Sequence, residues 1–264
     1  MSNKHLGQHF LINKYIVADI LRAGEVSKKD IVLEVGPGKG VLTESLVQNA
    51  KKVIAVEKDK ELVKYLKEKM LEFRNVEIIY GDILNFNSPP LQARLPPACR
   101  RGRDGQGGGW GRYKIIANIP YYITSRFLRL FLSNPKLRPS LMVLMIQKEV
   151  AERIIARDGK ESLLSLSVKS YGEPKIIKTV RKGNFFPQPK VDSAIIKINP
   201  FVRSSVSDIG AEQVLELARK AFQQKRKMLR HSLGKWVPEK YRNKRPEELK
   251  LKDWETICWS QSGK

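Results

Sequence analysis

The chain has 264 residues, with 50 Lys or Arg against 27 Asp or Glu and a formal charge of +23. Hydrophobic residues make up 41%, enough to bury a real core, which excludes a wholly disordered chain. A chain this basic attracts polyanions, nucleic acid first among them, although charge alone separates neither RNA from DNA nor an enzyme from a binder.

No apolar run reaches the roughly 18–20 residues of a membrane span. The start, MSNKHLGQHF, has no apolar signal core, so secretion is not expected. Cys99 and Cys258 are too few for a disulfide framework or a cysteine zinc site. His5, His9 and His231 lack ligand spacing, so no metal site is expected. These features point to a reducing, cytoplasmic setting. Without a heptad or a large apolar surface stripe, a monomer is expected.

Ile31 to Val35 is a short β-branched run, ending in Gly36-Pro37-Gly38-Lys39-Gly40. Val41, Leu42, Ser45 and Leu46 then follow at helical spacing. This is a strand, a glycine turn and a helix. Val53–Val56 reads as a second strand, with Glu57 at its tip. A charged helix from Lys60 to Glu72 follows, with Leu62, Leu66 and Met70 on one face. Val76–Tyr80 is a third strand, stopped by Gly81-Asp82. Strands alternating with helices imply a parallel sheet covered on both faces.

The pattern breaks over 87–112, which carries Pro89-Pro90, Pro96-Pro97, Arg100-Arg101 and Gly107-Gly108-Gly109. This composition reads as a flexible insertion, either an arginine/glycine arm for RNA or a tolerated surface loop. Tyr113–Ala117 resumes as a fourth strand and runs into Asn118-Ile119-Pro120-Tyr121. A helix follows over Ser125–Leu132. Leu141–Ile146 is a wholly apolar fifth strand, buried on both faces. Lys148–Arg157 and Leu163–Tyr171 read as helices. Lys175–Val180 and Ser193–Asn199 complete seven strands, on either side of Phe185-Phe186-Pro187-Gln188-Pro189. Beyond Pro200 the β signal stops, and Ala211–Leu233 reads as one long helix. The expected organisation is a larger domain over 1–203 and a small helical domain over 204–264.

Glycines directly after a strand let the backbone turn tightly and approach a ligand. The spacing here is G-x-G-x-G, with Glu34 two residues ahead, rather than the dinucleotide G-x-G-x-x-G. It suits a nucleoside without phosphates better. Glu57 lies 21 residues after Gly36, where an acid accepts both hydroxyls of a ribose; alternatively it complements a helix dipole. Asp82 at the next strand end is a candidate acceptor for an adenine amino group, or a plain turn aspartate.

Asn118-Ile119-Pro120-Tyr121 carries the most specific chemistry. An adenine amino nitrogen is a poor nucleophile because its lone pair is delocalised into the ring. The Asn118 side-chain oxygen and the Ile119 carbonyl can accept its two hydrogens and draw it toward sp³ character. Pro120 stiffens the turn, and Tyr121 offers a stacking face, worth about 1–3 kcal/mol per base.

Leu6-Gly7-Gln8-His9-Phe10-Leu11, Glu34-x-Gly36-x-Gly38-x-Gly40, Glu57, Gly81-Asp82, Asn118-Ile119-Pro120-Tyr121 and Phe185 through Ser193 stand in one order. Together they resemble the ribosomal RNA adenine dimethyltransferases of the KsgA type, from Leu6 to the C-terminus apart from 87–112. The resemblance implies an α/β, Rossmann-like class I methyltransferase sheet, mostly parallel and seven-stranded, with a small C-terminal helical domain. It implies S-adenosylmethionine as donor and S-adenosylhomocysteine as product.

It places Gln8, His9, Leu11, Glu34, Gly36, Gly38, Glu57, Asp82 and Asn118 at the cofactor. His9 and Leu11 would line its methionine end, Glu57 would hold the ribose and Asp82 the adenine. Asn118 and Ile119 would hold the target amine, and Tyr121 and Phe185 would sandwich the target base. The family often has Asn at the position of His9 and Leu at that of Ile119.

The implied activity is N6,N6-dimethylation of two adjacent adenosines in the 3′-terminal stem-loop of small-subunit ribosomal RNA, within ribosome biogenesis. The implied partner is the pre-ribosomal small subunit. Lys225, Arg226 and Arg230 are candidate RNA contacts, with Ala218, Phe222 and Leu229 turned inward. Three alternatives stand beside this: a large-subunit methylase of the resistance type, an assembly factor without catalysis, and a DNA adenine methylase.

Overall fold

The computed structural model describes residues 9–85, 113–201 and 205–262. Gln8 and the 87–112 insertion lie outside the described residues. Two compact units emerge: one comprises 1–148 with 175–200, the other 149–174 with 201–264.

The first unit is built on a seven-stranded sheet. Its strands are β2 (Ile31–Val35), β3 (Lys52–Glu57), β4 (Val76–Tyr80), β5 (Tyr113–Asn118), β6 (Leu141–Gln147), β7 (Gly172–Val180) and β9 (Ser193–Pro200), in the order β4-β3-β2-β5-β6-β9-β7. From β4 to β6 all neighbours are parallel, and β9 runs antiparallel to β6. β1 (Phe10–Leu11) and β8 (Phe185–Phe186) form a separate antiparallel pair. The first six residues of β6 are buried, as a strand covered on both faces requires.

The chain winds outward from β2 through β3 to β4, then returns to β5 on the other side of β2. That reversal opens a crevice at the carboxyl ends of β2 and β5. Because these strands are parallel, the ends of β2, β3, β4 and β5 share one edge. This single topological fact gathers residues from four distant stretches of sequence.

Helices α1 (Lys14–Ala23) and α2 (Val41–Asn49) cover one face. Ile16, Val17, Ile20, Leu42, Leu46 and Val47 pack there with Val32, Val53, Ile116, Val143 and Ile195. Helix α3 spans Lys60–Lys69, shorter than the expected 60–72. Asp59 caps its start by accepting from the N–H groups of Glu61 and Leu62. Its buried stripe is Val63, Leu66 and Met70, with Leu62 only half-buried. Helix α4 (Thr124–Ser133) sends in Phe127 and Phe131, whose rings lie 4.8 Å apart.

In the second unit, α6 (Leu163–Tyr171) packs on α7 (Ser205–Phe222), and α10 (Leu251–Ser262) packs on both. Helix α5 (Lys148–Ile155) leads in from β6. The segment 149–174, which the sequence reading grouped with the larger domain, joins this unit because its hydrogen bonds go there: Glu161 N–H donates to Glu247 O and Phe201 N–H to Tyr171 O.

The expected helix over 211–233 is not continuous. α7 ends at Phe222, a turn covers 223–227, and short helices α8 (Leu229–Ser232) and α9 (Glu239–Arg242) follow. Leu229 N–H donates to Lys244 O across the loop instead of to its own helix. Lys225-Arg226-Lys227 stands in the break. Ala218 and Leu229 are fully buried, and the Phe222 ring lies 6.3 Å from that of Trp254. Among the described residues no helix is long and apolar enough to cross a membrane.

Candidate active site

A cleft of about 1290 Å³ opens at the carboxyl edge of the parallel strands. Its floor is the glycine turn after β2. Gly36, Gly38 and Gly40 have φ of 65°, 59° and 80°, left-handed values that side chains disfavour. Gly36 N–H donates to Val56 O at 3.0 Å. A Cβ on Gly38 would sit 2.8 Å from the Phe10 ring, so the N-terminal segment presses directly on the turn.

Glu57, buried at the end of β3, ties this turn down. Its Oε2 accepts from Gly38 N–H at 3.2 Å, and its Oε1 from the N–H groups of Lys58 and Asp59 at 2.8 and 3.0 Å. The carboxylate therefore joins β3 to the glycine turn as well as facing the cleft.

Glu34, on β2, is 1% exposed, and its Oε2 has no hydrogen-bond partner among the described residues. Burial pushes its carboxyl up to about 8; the Thr43 hydroxyl opposes this and the charge of Glu57 adds to it.

Asp82, after β4, has its Oδ2 at 2.8 Å from Lys58 Nζ, and its Oδ1 accepts from Leu84 N–H at 3.0 Å. Burial works against its charged form. The Lys58 and Leu84 hydrogen bonds and the Lys58 charge prevail, so its carboxyl titrates below the usual carboxylate value.

Asn118 ends β5 and is half-buried; Ile119 beside it is buried. Pro120, at φ −56°, turns the chain into the short 3-10 turn Tyr121–Ile123. The Tyr121 hydroxyl lies 2.8 Å from Ser193 Oγ on β9. Burial raises the Tyr121 phenol, with Ser193 acting in the opposite sense. Tyr122 stands 68% exposed at the rim.

The N-terminal segment closes one side. Phe10 and Leu11 pair with Phe186 and Phe185, and Ile12 N–H donates to Asn184 O. His9 Nδ1 lies 2.7 Å from Pro187 O, and its ring stacks at 6.4 Å on Tyr121. A carbonyl only accepts, so Nδ1 carries the hydrogen.

The structure thus brings His9, Leu11, Glu34, Gly36, Gly38, Glu57, Asp82, Asn118, Ile119 and Tyr121 to one cleft. Phe185 is not among the lining residues. It is 3% exposed and packed in the core with Leu11, while its neighbour Phe186 is 66% exposed. Lys225, Arg226 and Arg230 are exposed in the second unit, where Arg230 is held by Asn243 at 2.5 Å. Sequence reasoning missed Lys58 and Tyr122, and the pairing of Ser193 with Tyr121. Lys58 and Tyr122 adjoin Glu57 and Tyr121 in sequence, but the Ser193–Tyr121 pair spans 72 residues and had no local signal.

A family model described as ribosomal RNA adenine dimethylase matches residues 1–257. The chain belongs to that family. A ribosomal RNA small subunit methyltransferase A of Dehalococcoides mccartyi is 38% identical over 275 residues, covering 99% of this chain and 89% of the relative. One from Latilactobacillus sakei is 40% identical, covering 87% of this chain and 74% of the relative. A dimethyladenosine transferase from Plasmodium falciparum superposes with a TM-score of 0.77 at 27% identity, covering 97% and 98% of the two chains. The 23S rRNA methyltransferase ErmE shares the fold, with a TM-score of 0.74 at 23% identity and coverage of 96% and 99%. As a ribosomal RNA adenine dimethylase the chain is an enzyme with a class I methyltransferase sheet, and the family implies a reaction dependent on S-adenosylmethionine.

Proposed function

We propose that this dimethylase transfers methyl groups to N6 of two adjacent adenosines in the 3′-terminal stem-loop of small-subunit ribosomal RNA. On this reading it works as a cytoplasmic monomer on the pre-ribosomal small subunit. The observation that carries the proposal is the convergence of Glu57, Asp82 and Asn118-Ile119-Pro120-Tyr121 on one cleft, in a chain whose relatives are named for the small subunit.

The residues fit a sulfonium nucleoside. Gly36 and Gly38 line the cleft without a Cβ, and Glu34 beside them has a buried oxygen without a partner among the described residues. When bound, S-adenosylmethionine supplies an already activated methyl group and leaves as S-adenosylhomocysteine. His9 and Leu11 take its methionine end, Gly36 and Gly38 admit it closely, Glu57 holds the ribose and Asp82 the adenine.

Asn118 Oδ1 and the Ile119 carbonyl accept the hydrogens of the target amine and aim its lone pair, while Tyr121 stacks on the base. Positioning supplies most of the acceleration, and no strong base is required, because the nitrogen becomes acidic once methylated. The target base must be unpaired or extruded to enter. Lys225, Arg226 and Arg230 contact phosphates.

The test is labelled donor with purified unmethylated small subunits, large subunits, naked RNA and duplex DNA. Label in the small subunit alone, recovered as dimethyladenine, is the expected result. Label in the large subunit or in DNA would replace the substrate. Subunit binding without label would mean an assembly factor.

A further inference from the structure

Phe186 is 66% exposed. A lone exposed phenylalanine needs no explanation by itself, but this one has a defined place and a charged surround. Residues directly opposite in an antiparallel ladder point to the same face. In the pair β1–β8, Leu11 and Phe185 turn into the core, and Phe10 and Phe186 turn the other way. Phe10 lines the cleft, with its ring against the glycine turn at Gly38. Phe186 therefore stands beside Phe10 at the mouth of the cleft, outside its lining.

The ladder that carries Phe186 is pinned at both ends. His9 Nδ1 donates to Pro187 O at 2.7 Å, and Asn13 Nδ2 donates to Asn184 Oδ1 at 2.7 Å. A ring presented on a fixed backbone loses little freedom when it is covered. The surface around it is cationic. Lys14, Arg181, Lys182 and Lys190 are exposed, and none of them makes an ion pair among the described residues. Asp192, the acid of this stretch, is half-buried and already accepts from Lys182 N–H through Oδ1 at 2.9 Å. An exposed ring among unpaired cations suits single-stranded nucleic acid: a base stacks on the ring while the phosphates meet the cations.

We propose that Phe186 is the stacking platform for the nucleotide next to the target adenosine. The proposal rests on the substrate being an RNA with two adjacent target adenosines. When one adenosine is drawn into the cleft, its neighbour loses a stacking partner on that side. Phe186 covers the bared face at the mouth, and the flanking phosphates lie toward Lys14, Arg181 and Lys182. Every base has a π-face, so the same ring serves whichever adenosine is waiting its turn. This task is separate from that of Tyr121, whose ring belongs to the cleft itself.

Two experiments on the full-length protein with purified unmethylated small subunits test this. The first compares Phe186→Leu, which keeps an apolar side chain but loses the π-face, with Phe186→Tyr, which keeps both. Phe186→Leu should raise KM for the subunit at least about fivefold. Phe186→Tyr should restore the wild-type KM, and affinity for S-adenosylmethionine, read by calorimetry, should be unchanged in both. The second uses Phe186→p-benzoylphenylalanine, whose photo-crosslink to the subunit is mapped by reverse transcription. The crosslink should fall on or directly beside the two adenosines.

An unchanged KM in Phe186→Leu would overturn the proposal, as would a crosslink to a ribosomal protein, to distant RNA or to nothing. Donor affinity lost together with KM would make Phe186 a prop for Phe10 and the glycine turn, and would overturn it too. Failure of wild type to label the small subunit at all would instead overturn the substrate reading.

Discussion

At the scale of single residues, the cleft is governed by what its carboxylates touch. Glu34 is buried and raised to about 8 against an ordinary 4.5. A group whose folded value is raised contributes stability fully present below its unfolded value and lost as pH rises through the folded one. Glu34→Gln should therefore be stabilised relative to wild type at pH 8.5 compared with pH 5, by up to about 4 kcal/mol at 1.36 kcal/mol per unit. Urea unfolding at the two pH values measures this, and an equal gap at both would contradict it. Gly38→Ala meets the Phe10 ring at 2.8 Å with φ at 59°. It should cost at least about 1 kcal/mol in thermal unfolding and weaken donor binding. Gly36, Gly38, Glu57, Asp82 and Asn118 were legible because each lies at or within three residues of the end of an apolar run, and parallel strands bring such ends to one edge. Phe185 was not. Which of two adjacent phenylalanines faces inward is set by the pairing with Phe10–Leu11, and alternation across a two-residue strand leaves no periodic trace.

At the scale of elements, the segment Phe10–Leu11 is held by the burial of Leu11 and by the Ile12 N–H bond to Asn184 O. It has one short ladder to Phe185–Phe186, and Asn13 beyond it both caps α1 at Tyr15 N–H (2.8 Å) and bonds Asn184 Oδ1 (2.7 Å). Asn13→Ala should cost about 1–2 kcal/mol and speed amide exchange at Leu11 and Ile12; unchanged exchange would show that the pairing stands without it. In the second unit Trp254 is fully buried near Phe222. Trp254→Ala should cost about 3–5 kcal/mol, read from the unfolding of that unit. The seven strands were legible because apolar runs of β-branched residues bounded by Gly, Pro and Asp have few other readings. The break after Phe222 was not, since the pattern Ala218, Phe222, Leu229 fits an unbroken helix. A distant carbonyl, Lys244 O, takes the N–H that would have continued it.

At the scale of the whole molecule, the +23 charge and the cleft divide the work. On the proposed reading, phosphate contacts supply affinity without sequence and the cleft supplies chemistry. Small-subunit RNA binding should weaken steeply with salt, and Lys225→Ala with Arg226→Ala should each lower the log–log slope by about 1. A slope unaltered by both would remove the basic turn from the interface. The most direct measurement is the Asn118→Ala variant, assayed in parallel for donor affinity by calorimetry and for methyl transfer to unmethylated small subunits. Transfer should be abolished while affinity for S-adenosylmethionine stays within a fewfold of wild type. Equal loss of both, or transfer that survives, would contradict an amide that holds the target amine.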